Sequence, residues 1–266
     1  GRLVFSPSLS PENIPERPGA SHAQINATMD VAVARELLTN LCSACELMDV
    51  ECEGIARWRK LLEKLPAYET NKDGAIREWI HPDLPDNYHH RHLSHIYPLF
   101  PGLEVTKETS PELFEACRVA VEKRLVIGLS SQSGWSYAHM ANIYARLGNG
   151  DRALDCLENL CRSVVGPNLF TYHNDWRQQG LTVGWFGSQP PFQIDANLGI
   201  SAAVLEMLVF SVPGMIKVLP ALPNSWRSGS ASRIACRGGG LVSIQWDLDA
   251  GVVDVHFQSR TDGPIV

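Results

Sequence analysis

The chain reads as mainly α: paired helices belonging to a closed α/α toroid, followed by the start of an antiparallel β domain. Three observations lead there. Apolar residues recur at helical spacing through most of the chain up to Val212. Long irregular stretches rich in His, Trp, Gly and Gln separate the helices. After Pro213 the pattern changes to strict alternation, as in Val242, Ile244 and Trp246. Helices first and strands later divide the chain into residues 1–212 and 213–266. An open helical solenoid would show sequence repeated at a fixed period, and none is visible. A closed toroid instead gathers its long loops at one mouth and so builds a cleft.

The elements follow in order. Residues 1–27 have few periodic apolar positions, and Ser6-Pro7-Ser8-Leu9-Ser10-Pro11 reads as an ordered loop or a linker. Thr28 is a plausible N-cap for a helix reaching about residue 49, with Val31, Leu37, Leu38 and Leu41 on one side. A second helix is expected over about 53–65, stopping before Pro66. Ser110-Pro111-Glu112 combines a cap, a first-turn proline and an acid near the positive helix end, so a helix starts there and ends near Gly128. Further helices are expected over about 135–147, with Gly148 as a left-handed stop, over 150–163 and over 197–211. Asp249-Ala250-Gly251 reads as a hairpin turn into Val253, Val255 and Phe257.

Composition narrows the function. With 266 residues and 44% hydrophobic side chains the chain can bury a large core. A net charge of −6 with no basic tract argues against nucleic acid as a partner. The most apolar stretch, Ala202 to Phe210, is interrupted by Glu206, so no membrane span is predicted. The chain begins at Gly1 without a signal-type run. It therefore reads as a processed product or as part of something longer, and secretion or a periplasmic location is compatible. Of the seven cysteines, Cys42 and Cys45 lie three apart in a helix with Cys52 nearby. Buried thiols, disulfides or a metal site are the alternatives, and zinc lacks a second closely spaced ligand pair. Asn26-Ala27-Thr28 matches the N-glycosylation acceptor, a short pattern common by chance.

Chemistry concentrates in two islands. Between Glu78 and Phe100 lie five of the nine histidines: His81, His89, His90, His92 and His95. A cleft that grips many hydroxyl groups uses such a density of imidazole; a plain surface does not. The second island, Pro191 to Asn197, sets Asp195 between Ile194 and Ala196. Glycoside hydrolysis needs two carboxyl groups, one protonated and one ionised. Glu78, beside Trp79 and Ile80, is a candidate for the protonated one, since apolar neighbours raise a carboxyl pKa; a surface glutamate is the bland alternative. Asp195 is a candidate for the other, or a simple N-cap. Arg91 and His92 offer donors and acceptors for sugar hydroxyls. Gln193 and Asn197 are placed to orient Asp195 or to meet a hydroxyl. Trp79, Trp135, Trp176 and Trp185 are candidate platforms for a pyranose face, though each also reads as core. A rival reading makes His90, His92 and His95 metal ligands, but the spacings usual in zinc hydrolases are absent, and neither metal nor cofactor is expected. A second rival is a non-catalytic carbohydrate-binding or scaffold protein.

The islands taken in order resemble glycoside hydrolase family 95, the inverting α-L-fucosidases, some of whose relatives act on α-L-galactosides. The matching segments are Ser6–Asn13 (SPSLSPEN), Glu78-Trp79, His90–His95 (HRHLSH), Leu99–Gly102 (LFPG), Gly134–Ser136 (GWS), Ala145–Gly148 (ARLG), Asn168–Phe170 (NLF), Phe192–Gly199 (FQIDANLG), Glu206–Leu208 (EML) and Leu219–Trp226 (LPALPNSW). The resemblance implies an (α/α)6 barrel with flanking β domains and a glycan bearing terminal α-L-fucose as substrate. It implies that Glu78 is the general acid, and that Asp195 polarises one of the asparagines holding the attacking water. It implies that Arg91 and His92 bind the sugar. Those asparagines belong to a motif upstream of SPSLSPEN. The chain therefore reads as the C-terminal part of a longer enzyme, with little turnover expected of this segment alone. Ala196-Asn197-Leu198-Gly199 stands where the family usually has GNFG. Tyr137-Ala138-His139 departs from the usual basic and aromatic pair, and the 170–191 loop is longer than typical.

Overall fold

The structure, a computed structural model, describes residues 1–50 and 52–259, without the Cys52 side chain. The last stretch of the expected β domain, residues 260–266, and the Cys52 thiol lie outside the described residues. The chain forms two compact units, Gly1–Gly128 and Leu129–Val266. It is helical with short antiparallel sheets, the longest of them at the C-terminal end.

The first unit holds α1 (Thr28–Met48), α2 (Cys52–Leu62) and α3 (Pro111–Arg124), with two short strands, β1 (Ser8–Leu9) and β2 (Ala23–Gln24), that pair antiparallel. Thr28 is not the cap of α1. That place falls to Ala27, while the Thr28 hydroxyl donates to the Arg77 carbonyl at 2.6 Å and ties the helix start to the Glu78 segment. Helix α3 has Ser110 at its N-cap and Pro111 in its first turn, as its sequence dictates. Cys42 and Cys45 pack with Ile55 where α1 meets α2, and the described cysteines are free thiols. The glycosylation match fails on burial. Asn26 is 8% exposed, its Oδ1 accepts the Phe5 amide and its Nδ2 donates to the Ile80 carbonyl.

The second unit packs α4 (Gly134–Arg146) against α5 (Gly150–Val164) and α6 (Ile194–Leu208). Helix α4 starts on a capping box between Ser133 and Ser136. Its contact with α6 needs Gly199: a Cβ there would lie 2.7 Å from that of Ala138. Arg146 forks onto Glu206 at 2.5 and 2.9 Å and joins the two helices at their ends. Helix α6 starts three residues earlier than expected and stops earlier too. Val209–Val212 leaves it as strand β3, in a hairpin with β4 (Met215–Val218), because β-branched and aromatic residues suit a half-buried strand. Strands β5 (Ser228–Cys236), β6 (Gly240–Asp247) and β7 (Val252–Ser259) form an antiparallel sheet in that order. Val242, Ile244 and Trp246 of β6 are buried in a cluster with Leu208 and Val209. They stand opposite Phe257, Val255 and Val253 of β7, so the alternating pattern marks a true hairpin.

Candidate active site

In the first unit the SPSLSPEN loop and the HRHLSH loop converge. Ser10-Pro11-Glu12-Asn13 is a turn closed by the Asn13 amide on the Ser10 carbonyl at 3.2 Å. Pro11 presets its first corner, and Glu12 occupies the second at φ +58°, where glycine or asparagine is the usual choice. A glutamate held in this region costs about 1–2 kcal/mol, and such strain concentrates at functional positions. The turn presents the Glu12 side chain, 62% exposed, to Arg91 and His92. Arg91 donates to Glu12 Oε2 at 3.0 Å, and His92 Nε2 lies 3.6 Å from the same atom. His92 is oriented from behind, its Nδ1 lying 3.2 Å from the Pro11 carbonyl. Its own amide donates to His90 Nδ1 at 3.1 Å, and the two rings meet edge to face.

Glu78, implied as the acid, lies instead in the interior. It is 1% exposed and its carboxylate is fully engaged. Oε1 accepts the Ser10 hydroxyl at 2.6 Å, and Oε2 accepts Asn13 Nδ2 at 2.6 Å together with the Arg124 guanidinium. Burial pushes its carboxyl up, while Arg124 and the Ser10 hydroxyl pull it back. Its backbone amide is held by Asp86 Oδ1 at 2.7 Å. This geometry offers no open carboxyl to a glycosidic oxygen. Trp79 is 0% exposed and packs with Ala27 and Leu84, so the expectation of a sugar platform there is corrected: the indole is core.

Glu12, His90 and His92 bring possible metal-ligand atoms within 4.8 Å of one another, whereas His95 is not among them. The hydrogen bonding disfavours a metal. His90 Nδ1 already accepts an amide, so the neutral ring carries its proton on Nε2 and has no lone pair to spare. Arg91 adds a positive charge at the same carboxylate. Burial first, then His92, Arg124, Arg91 and His22, push the His90 pKa down to about 3. The unfolded chain, with a pKa of about 6.5, therefore takes up this proton first. Stability should fall as pH drops from about 6.5 toward 3. His90→Asn, whose oxygen can still accept the His92 amide, should flatten that slope relative to the parent in thermal melts recorded between about pH 7 and 4.

In the second unit Asp195 sits in the first turn of α6 and is exposed, one carboxylate oxygen accepting the Ala196 amide at 3.0 Å. It is not the cap, which is Gln193. The two residues expected to serve it do structural work. Gln193 Oε1 accepts the Trp135 amide at 2.7 Å, at the start of α4. Asn197 Oδ1 accepts the Thr171 amide at 2.8 Å and its Nδ2 donates to the Leu169 carbonyl at 2.9 Å, fixing the 169–172 loop beside Asp195. Exposed aromatic side chains of this unit fall between residues 170 and 192. Phe170 and Phe192 are 4.9 Å apart, and Trp185, 64% exposed, stacks on His173 at 5.7 Å.

Sequence reasoning passed over Glu12, although a Ser-Pro-Glu-Asn turn with an acid at its glycine-favouring corner was a readable signal. It also passed over Arg124. That residue reads as an ordinary basic side chain at a helix C-terminus, and nothing local announces its distant partners.

Comparison with known proteins converges on one group. Residues 1–208 match a family model described as the glycosyl hydrolase family 95 catalytic domain, and residues 211–266 match the glycoside hydrolase family 95 C-terminal domain. The chain is 38% identical over 264 residues to "Alpha-L-fucosidase 2" of Arabidopsis thaliana, a match covering 98% of this chain and 30% of that protein. It is 29% identical over 282 residues to "Probable alpha-fucosidase A" of Aspergillus oryzae, covering 96% of this chain and 35% of that protein. The chain thus spans about a third of the length of these relatives.

Proposed function

The chain belongs to glycoside hydrolase family 95, and from that premise we propose that it is part of an exo-acting glycosidase that removes terminal α-L-fucosyl, or related α-L-galactosyl, residues with inversion. The observation that supports this most is the accessible Glu12 carboxylate, held in a strained turn beside Arg91 and His92. We assign the proton donor to Glu12 in place of Glu78. Glu12 is open to an incoming glycosidic oxygen, while both oxygens of Glu78 are committed in the interior. Arg91 and His92 hold sugar hydroxyls, the arginine by a fixed fork of donors and the histidine by Nε2. Asp195 belongs to the base side, where it polarises an asparagine that holds the attacking water. The helices are read as part of an (α/α)6 ring. No cofactor takes part in this chemistry.

The test is direct. The full-length gene product is incubated with a panel of α-linked aryl glycosides, and the first sugar anomer is followed by proton NMR. Inversion requires β-L-fucose to appear first and the α anomer only by mutarotation. An initial α product would end the inverting assignment, and no release from any fucoside would end the activity.

A further inference from the structure

The two segments around Glu12 carry little regular secondary structure, only β1 in the first and the start of a 3-10 turn at Ser94 in the second, yet they meet at hydrogen-bonding distance. What holds them is a buried pair. Arg124, the last residue of α3, is 2% exposed. One arm of its guanidinium donates to the carbonyls of His90, at 3.1 Å, and His92, at 2.7 Å, the two residues on either side of Arg91. The other arm donates to the Glu78 carboxylate. Glu78 in turn accepts from Ser10 and Asn13, the first and last residues of the turn that presents Glu12. A second brace runs from Asn13 Nδ2 to the Asn87 carbonyl at 3.1 Å, and a third joins the Ser10 and Ser94 hydroxyls at 2.8 Å. Every strong contact of the pair is thus spent on backbone or on turn residues, and none points at an exposed surface.

Burying two charges is costly unless each is paired and hydrogen-bonded, and apolar replacements often match such a pair in stability. Its best-attested service is to fix geometry. We propose that Arg124 and Glu78 are positioning residues that set the separation between Glu12 and the Arg91–His92 segment. Neither touches substrate. This rests on the reading of Glu12 as proton donor, but the geometric claim can be tested apart from it.

The experiment uses the full-length protein and two variants. Arg124→Lys keeps the charge but loses the fork that spans two carbonyls and a carboxylate. Ser10→Ala is milder, removing one contact to Glu78 and leaving the ion pair intact. Two readouts are taken. In the first, each change is combined with Glu12→Gln and turnover of an alkyl α-L-fucoside is measured. Positioning through Glu12 predicts losses of roughly 10–100-fold for Arg124→Lys and a few-fold for Ser10→Ala, nearly vanishing in the Glu12→Gln background. Multiplicative losses, or none, overturn the proposal. In the second, ring NMR signals of labelled histidine are titrated in the parent and in both variants. A released loop lets His90 titrate toward the ordinary value of about 6.5. If His90 titrates as in the parent in both variants, the proposal falls. Should the parent release no sugar, the functional reading fails by itself and the histidine titration still decides the positioning claim.

Discussion

Glu12→Gln in the full-length protein is expected to lower kcat on alkyl α-L-fucosides by about 10²–10⁴, the usual contribution of a positioned general acid. The fold should hardly notice. The side chain is largely exposed, glutamine still offers Arg91 an acceptor, and an exposed ion pair is worth under about 1 kcal/mol. Loss of rate without loss of melting temperature is therefore the signature. A protein that kept its rate would remove Glu12 from the chemistry. One that lost rate and fold together would make Glu12 a structural residue, against its exposure.

The second large effect falls on stability. Glu78→Ala leaves the Arg124 guanidinium buried without a counter-charge and removes one hydrogen-bond partner from each of Ser10 and Asn13. Breaking a buried pair from one side costs about 3–5 kcal/mol. The expected result is a marked drop in the urea midpoint of the unit that contains these residues, with activity lost as the turn loosens. If Glu78→Ala left unfolding unchanged and abolished only turnover, the acid role implied for Glu78 by family resemblance would be restored. The two substitutions thus form a pair. One should act on rate at constant stability, the other on stability first.

Most of the architecture was legible because local signals agreed with one another. The Ser110-Pro111 start of α3, the Gly148 stop after α4 and the β6–β7 hairpin each follow from residue chemistry within a few positions. The end of α6 was misjudged because Val209 and Phe210 suit either element at short range, and pairing with Val218 and Lys217 decided for strand. The site was legible in part. Its islands were found because histidines and isolated acids stand out in composition. Roles within them depended on burial, which spacing does not report. Trp79 and Glu78 are neighbours in sequence and both go inside, the one into hydrocarbon and the other onto Arg124. Glu12 was overlooked because its significance lies in a backbone angle and in two side chains from a loop about 80 residues away.

The measurement closest to the central claim compares leaving groups. Fluoride departs from α-L-fucosyl fluoride with little need for a proton, whereas an alkyl alcohol needs one. In the Glu12→Gln protein the fluoride should be hydrolysed within a few-fold of the parent rate, while the alkyl fucoside falls by about 10² or more. Equal losses on both substrates, or this selective loss appearing in Glu78→Gln and not in Glu12→Gln, would contradict the assignment.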